Sequence, residues 1–169
     1  MGNLVMTRCD HRLVHGQVGG QWLKRLSTKR IVILCDEVAK DPFMKEMFAV
    51  SAPAGVKIDC YTVEEGVAEW KKDQFGNGNI ILLFKYTIDA VHAFDAGLDF
   101  KELNIGQSAS GKDKDGNVRK LVLRAVYLSE LEASSLRRLS KEKDVNVYSQ
   151  GAPAEGVVQL IPMLDKAGL

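Results

Sequence analysis

Leu4-Val5-Met6-Thr7-Arg8-Cys9-Asp10-His11-Arg12-Leu13-Val14-His15-Gly16-Gln17-Val18 decides how the rest of the chain is read. Its first three residues form a short apolar run suited to a strand, and Val18, Trp22 and Leu26 recur every four residues, the spacing of one helix face. What lies between is a strand-to-helix loop, so Asp10 to Gly16 sits at the carboxyl end of a strand. In open α/β sheets ligands gather at that edge, and the helix that follows offers unpaired N–H groups and a positive dipole end to an anion. Into this turn the chain places His15, an arginine three residues earlier (Arg12) and an aspartate two before that (Asp10). Gly16 lets another group approach closely. Arg12 carries forked donors suited to phosphate, with the N–H groups of Gly16 and Gln17 beside it, and Asp10 is placed to accept the proton of one imidazole nitrogen. The other nitrogen is then bare and nucleophilic. The pattern describes a histidine that takes and gives a phosphoryl group, with Arg8, His11 and Asp36 as accessory candidates.

Working outward, β-rich apolar runs recur at Ile31 to Cys35, Val56 to Tyr61, Ile80 to Phe84, Leu103 to Ile105, Leu121 to Tyr127 and Val145 to Tyr148, making about seven strands with the first. Helix starts separate most of them. Asp41-Pro42 sets a cap before a first-turn proline, and Thr62-x-x-Glu65 and Ser129-x-x-Glu132 are capping boxes. The segment after Tyr86 carries Ile88, Val91 and Phe94 on one face and stops at Gly97, a C′ glycine. Continuous rather than alternating apolar strands are those of a parallel sheet covered on both faces. The expected fold is therefore α/β: a single domain over residues 1–169, built on a mostly parallel open sheet of about seven strands with helices on both faces. Asp115-Gly116 is a tight-turn dipeptide flanked by residues able to pair, so antiparallel edge strands are expected late in the chain. After Gly151 the sequence predicts one short helix or turn.

Composition narrows the function classes. Lys+Arg 23 against Asp+Glu 22 leaves a net charge of +1, and the basic residues are scattered, which argues against nucleic acid as a partner. Cys9, Cys35 and Cys60 form no C-x-x-C pair, so neither a disulfide framework nor a zinc site is expected, and the compartment is read as reducing. No charged-then-apolar leader precedes Arg8 and no apolar run is long enough to span a bilayer, which points to the cytosol. Neither G-x-G-x-x-G nor G-x-x-x-x-G-K-[ST] occurs, so no nucleotide cofactor is expected, and His11 with His15 lacks a convincing third ligand, so no metal is either. His92, on a helix, reads as a surface residue.

The run Arg8-x-Asp10-x-Arg12-Leu13-Val14-His15-Gly16-Gln17-Val18 resembles the signature of the IIB component of the mannose/fructose/sorbose family of the bacterial phosphoenolpyruvate-dependent sugar phosphotransferase system. The resemblance continues through Asp36 to Asp41, Ala52 to Val56, Leu82 to Lys85, Leu103-Asn104-Ile105-Gly106 and Gln150-Gly151-Ala152-Pro153. It implies that His15 is phosphorylated, usually on Nδ1, by a histidine of the IIA component, and passes the group to a sugar held by the membrane components IIC and IID. It also implies a cytoplasmic protein held at the inner membrane face through IIC/IID. The stretch Gly16 to Trp22 is nearer the N-acetylgalactosamine or galactosamine branch. This chain departs from the family pattern at His11, where an acidic or small polar residue is usual, at Cys35, where Asp or Asn is frequent, and at Gln107, where a second glycine is common.

Two other readings share the same residues. In a regulatory binding module His15 phosphorylation would only switch contacts, and in a hydrolase His15 and Asp10 would release phosphate from a small substrate. Passage of label to sugar separates the carrier from both. The sequence leaves homo-oligomerisation open.

Overall fold

Ile31, Val32, Ile33 and Leu34 have no exposed surface, and neither have Ile80, Ile81, Leu82, Leu83 and Phe84. Strands of that kind need cover on both sides, and they take the middle of the sheet. The computed structural model describes residues 1–169. Its main sheet contains β1 (Gly2–Cys9), β2 (Arg30–Leu34), β3 (Lys57–Tyr61), β4 (Gly78–Phe84), β5 (Glu102–Ile105), β8 (Asn146–Ser149) and β9 (Val158–Gln159), in the order β3-β2-β4-β1-β5-β8-β9. Every pairing is parallel except that of β8 with β9. β6 (Lys120–Leu123) and β7 (Val126–Leu128) form a separate antiparallel pair.

Side chains of β2 and β4 alternate between two apolar layers. Ile31, Ile33, Ile81 and Leu83 meet Val18 and Trp22, which follow β1, and Phe48 of helix α3 (Pro42–Val50). Val32, Leu34, Ile80, Leu82 and Phe84 meet Val67 of α4 (Val63–Asp73), Val91 of α5 (Thr87–Asp95) and Leu136 of α6 (Glu130–Lys143). Each such side chain contributes about 1.5–3 kcal/mol by leaving water. The chain after β1 thus turns to one face and the chain after β4 to the other, although the two strands are neighbours. Their carboxyl ends flank the kind of crevice in which α/β sheets place their chemistry.

The local signals act where expected. Asp41 accepts from the N–H groups of Phe43 and Met44, both capping boxes are closed, and Gly97 takes φ +101° after α5. Gly116 turns the chain at φ +87° between Lys112 and Val118, which form one antiparallel bridge. A short final helix, α7 (Ile161–Lys166), follows Gly151.

Three features correct the sequence reading. Leu121 to Tyr127 is a hairpin outside the main sheet, because Ala125 adopts φ +58° and reverses the chain there without the Gly or Asn that usually marks such a turn. The main sheet still has seven strands, since β9, too short to show in an apolar pattern, pairs at its edge. The helix after the loop begins as a π-helical stretch (Gln17–Trp22) and continues as the short α1 (Leu23–Arg25). Its turns are wider than the four-residue spacing implies, yet Val18 and Trp22 are buried as expected. The remaining helix is α2 (Asp36–Ala39).

Candidate active site

The loop leaves β1 through Asp10, whose N–H donates to Phe84 O of β4 at 2.9 Å, and turns back at Leu13, whose N–H donates to Asp10 O at 2.9 Å. Leu13 is buried at φ +55°, a conformation unusual for a side chain that branches at Cγ, and it is kept there by packing into the layer of Val18 and Trp22. The turn folds Arg12 and His15 over the Asp10 carboxylate.

Asp10 has no exposed side-chain surface. Its Oδ2 accepts from Arg8 Nη2 at 2.9 Å, Arg12 Nη2 at 2.9 Å and His15 Nε2 at 3.1 Å, and its Oδ1 accepts from Arg12 Nε at 2.9 Å and Arg12 N at 3.2 Å. Burial alone raises a carboxyl pKa, but the hydrogen bonds from His15 and Arg12 and the charge of Arg8 outweigh it and hold Asp10 well below the ordinary carboxylate range. An ionised Asp10 can only accept, so the His15 nitrogen facing it is the protonated one. The tautomer follows from that network: Nε2 carries the hydrogen, and Nδ1 keeps its lone pair. Nδ1 faces the Gln17 N–H at 3.4 Å, and the His15 side chain is 16% exposed.

Arg8 is the deepest part of the cluster. Its side chain is fully buried, its Nη1 donates to Gln150 O at 2.7 Å, and its Nε has no partner. Burial lowers its pKa, and the charge and hydrogen bond of Asp10 oppose that shift. Asn104 Nδ2 also donates to Gln150 O, at 3.2 Å, and Trp22 Nε1 donates to Gly151 O at 3.0 Å, so the loop after β8 is tied to both ends of the His15 loop. Gly106 is required here. A Cβ on it would stand 2.2 Å from Arg8 Nη2 and 2.6 Å from Asp10 Oδ2.

Set beside known proteins, residues 4–169 match the family model of the PTS system sorbose subfamily IIB component. The chain belongs to the sorbose-subfamily IIB components of the sugar phosphotransferase system. It superposes on the crystal structure of manxB from Thermoanaerobacter tengcongensis with a TM-score of 0.85 at 36% identity, covering 98% of this chain and 97% of that one. It is 30% identical over 138 residues to the sorbose-specific EIIB component of Lacticaseibacillus casei, covering 80% of each. A third relative, the mannose-specific EIIAB component of Escherichia coli K12, is 28% identical over 166 residues, which are 95% of this chain and 49% of that longer protein. The chain is thus a phosphotransferase component of a sugar uptake system.

In this IIB chain the expected residues separate into three groups. Arg8, Asp10, Arg12, His15 and Gln17 form one hydrogen-bonded cluster, with Gln17 Oε1 accepting from Arg12 Nη2 at 3.2 Å. Arg12 serves Asp10 and Gln17 rather than the ring, and Gly16 N–H makes no bond to it. His11 adjoins the cluster: its N–H donates to Gln107 O at 2.9 Å, and its buried Nδ1 has no partner. Asp36 stands apart. It is the first residue of α2, where it accepts from Lys40 Nζ four residues on and from Val63 N, which ties the start of α4 to the start of α2. The three cysteines are buried and unpaired, and no helix is long and apolar enough to cross a membrane.

A cleft of about 230 Å³ opens beside the cluster, lined by Gln17, Gly106, Gln107, Arg124, Gln150 and Glu155 among others. Residue-by-residue reading of the amino-terminal motif misses Asn104, Gly106, Gln150 and Gly151, which complete the site from the other end of the sheet. Their signal was the two later stretches of family resemblance, which carry no chemistry of their own until the fold brings them together.

Proposed function

We propose that this IIB component carries a phosphoryl group on His15 Nδ1. One observation supports the reading above the rest: Asp10 holds the Nε2 hydrogen while Nδ1, which carries the lone pair, accepts only a long hydrogen bond from the Gln17 N–H. The Nδ1 lone pair attacks phosphorus in line as the nitrogen–phosphorus bond of the donor's phosphohistidine breaks, and that donor imidazole leaves with the electron pair. As the new bond forms, the His15 ring takes on positive charge. Its Nε2 hydrogen stays against the Asp10 carboxylate, which stabilises that charge much as the aspartate of a catalytic triad does. Arg12 and the Gln17 N–H supply donors to the phosphoryl oxygens.

The donor in this reading is a phosphohistidine of a IIA component, supported by the fusion of EIIA with EIIB that the name of the E. coli relative states. The acceptor is a sugar presented by IIC and IID, which would hold the protein at the cytoplasmic membrane face. The sugar of the N-acetylgalactosamine or galactosamine branch is the reading of Gly16 to Trp22. Arg12, Asp10, Gly16 and Gln17 serve the transferring group, Arg8 positions Asp10, and no cofactor or metal takes part.

The test is phosphorylation by labelled phospho-IIA, mapping of the labelled residue, and a chase with sugar and membranes holding IIC and IID. Label on His15 that leaves for N-acetylgalactosamine or galactosamine is the expected result. Label on His11 or His92 would overturn the assignment of His15, and label retained on His15 in the presence of the membranes and sugars would mark a regulatory module.

A further inference from the structure

The cleft beside the cluster contains one full positive charge that nothing in the fold uses. Arg124 stands at the β6–β7 turn, is exposed, and makes neither a hydrogen bond nor an ion pair within 4.0 Å. Its neighbours in the lining include Gln17, the residue whose N–H faces His15 Nδ1. The other guanidiniums of the site are already committed, Arg8 to Asp10 and Gln150 O, Arg12 to Asp10 and Gln17. Glu155, the carboxylate of the same lining, lies over Gly151 on the opposite loop and does not pair with Arg124.

The base of Arg124 is fixed although its head is free. Ala125 holds φ +58°, its carbonyl accepts from Ser108 N at 3.1 Å, and Ser108 Oγ exchanges hydrogen bonds with Tyr127 at 2.6 and 2.7 Å. A turn secured this way beside an open cleft presents a long cation to whatever enters. Phosphorylation introduces nearly two negative charges there, taking phosphoserine as the guide, and three strong acceptor oxygens.

We infer that Arg124 is a further phosphate-binding residue, which closes on the phosphoryl group of phosphorylated His15 from across the cleft. The inference rests on the carrier role proposed for His15. It makes the hairpin a functional part of the site: Arg12 approaches the phosphoryl group from the loop that bears the histidine, Arg124 from a separate sheet. Guanidinium forks suit such oxygens, and the second one compensates charge that Arg12, shared with Asp10, leaves partly unmatched.

The test uses the intact chain phosphorylated chemically with phosphoramidate, so that no partner protein is needed, and follows the phosphohistidine by ³¹P NMR against pH. A cation on the phosphoryl group favours its dianion, so Arg124→Gln should raise the midpoint of its last ionisation by about one pH unit. Arg124→Lys, which keeps the charge, should restore at least half of that shift. A midpoint unchanged in Arg124→Gln, with His15 phosphorylated, overturns the inference and leaves the carrier reading intact. Phosphorylation confined to His11 or His92 overturns both. Neither variant touches the core, and an unchanged thermal midpoint confirms that the phosphoryl group alone senses the substitution.

Discussion

Two buried ionic clusters lie in this molecule, and they are built on opposite terms. In the first, Arg119 meets Glu132 through a fork, Nε to Oε2 at 2.9 Å and Nη2 to Oε1 at 2.6 Å, and gives its remaining nitrogen to Ala109 O at 3.2 Å. Glu132 also accepts from Ser129 N within the capping box of α6, and Ser129 Oγ donates to Asp113 at 2.6 Å. Arg119 and Glu132 face each other directly there, Asp113 is satisfied by Ser129 and Asn117, and every guanidinium nitrogen is used. In the second, Asp10 alone answers two arginines and a histidine, and Arg8 Nε is buried without a partner, at a cost of about 1–3 kcal/mol. A cluster that only holds a helix to a hairpin closes its charges. The surplus of positive charge around His15 is what an incoming phosphoryl group would satisfy.

The contrast is sharpest at the two carboxylates. Asp10→Asn removes the only anion between Arg8 and Arg12, and breaking a buried pair costs about 3–5 kcal/mol. Both outputs should fall together: a melt lowered by roughly 6–20 °C and loss of most phosphoryl acceptance from phospho-IIA, since the amide no longer fixes the His15 tautomer. A normal acceptance rate in the folded fraction would contradict the role given to Asp10. Arg12→Lys should split the outputs. The lysine keeps the charge and loses the fork, so quench-flow transfer should slow by roughly a thousandfold, the scale seen where arginine serves phosphoryl transfer, while the melt falls by less than in Asp10→Asn, because a cation still stands beside the carboxylate. Glu132→Gln should split them the other way. It leaves Arg119 buried beside a neutral amide and costs about 3–5 kcal/mol by urea titration, with transfer unchanged once the folded fraction is taken into account.

Acid sets a smaller common effect. Hydrogen bonds to Asp10, and those from Ser129 and Asn117 to Asp113, overcome the burial of each carboxyl and depress both, Asp113 to about 2. Their unfolded counterparts ionise near pH 3.9. The stability these groups add is therefore complete above about pH 4 and is lost as pH falls through the folded values. Urea midpoints should be flat between pH 5 and 7 and drop between pH 4 and 2; a flat profile through pH 2 would remove the carboxylates from the account.

Most of the fold could be read because its signals are local. Caps at Asp41, Thr62 and Ser129 are spelled by neighbours in sequence, and β2 and β4 announce their burial by being apolar throughout. The β6–β7 hairpin could not be read the same way, since its turn uses Ala125 and the strain is borne by contacts to Ser108, seventeen residues upstream. The site divides likewise. His15, Arg12 and Asp10 share one loop and one chemistry, whereas the complete burial of Arg8 depends on Gly106 and on Gln150 O, and neither is visible from the residues around Arg8.

The bond from Arg8 to Gln150 O spans 142 positions and that from Trp22 to Gly151 O spans 129. On the ribosome this means that the loop bearing the histidine is among the first segments made and among the last to be tied to the far edge of the sheet. At about 5–20 residues per second the amino-terminal loop waits on the order of ten seconds for the segment that holds Arg8 in place. Until then Arg8 has no carbonyl at Gln150 to bind and Trp22 has none at Gly151. A product cut short before Gln150 would keep the whole amino-terminal motif and lack both carbonyls that tie it to the far edge of the sheet.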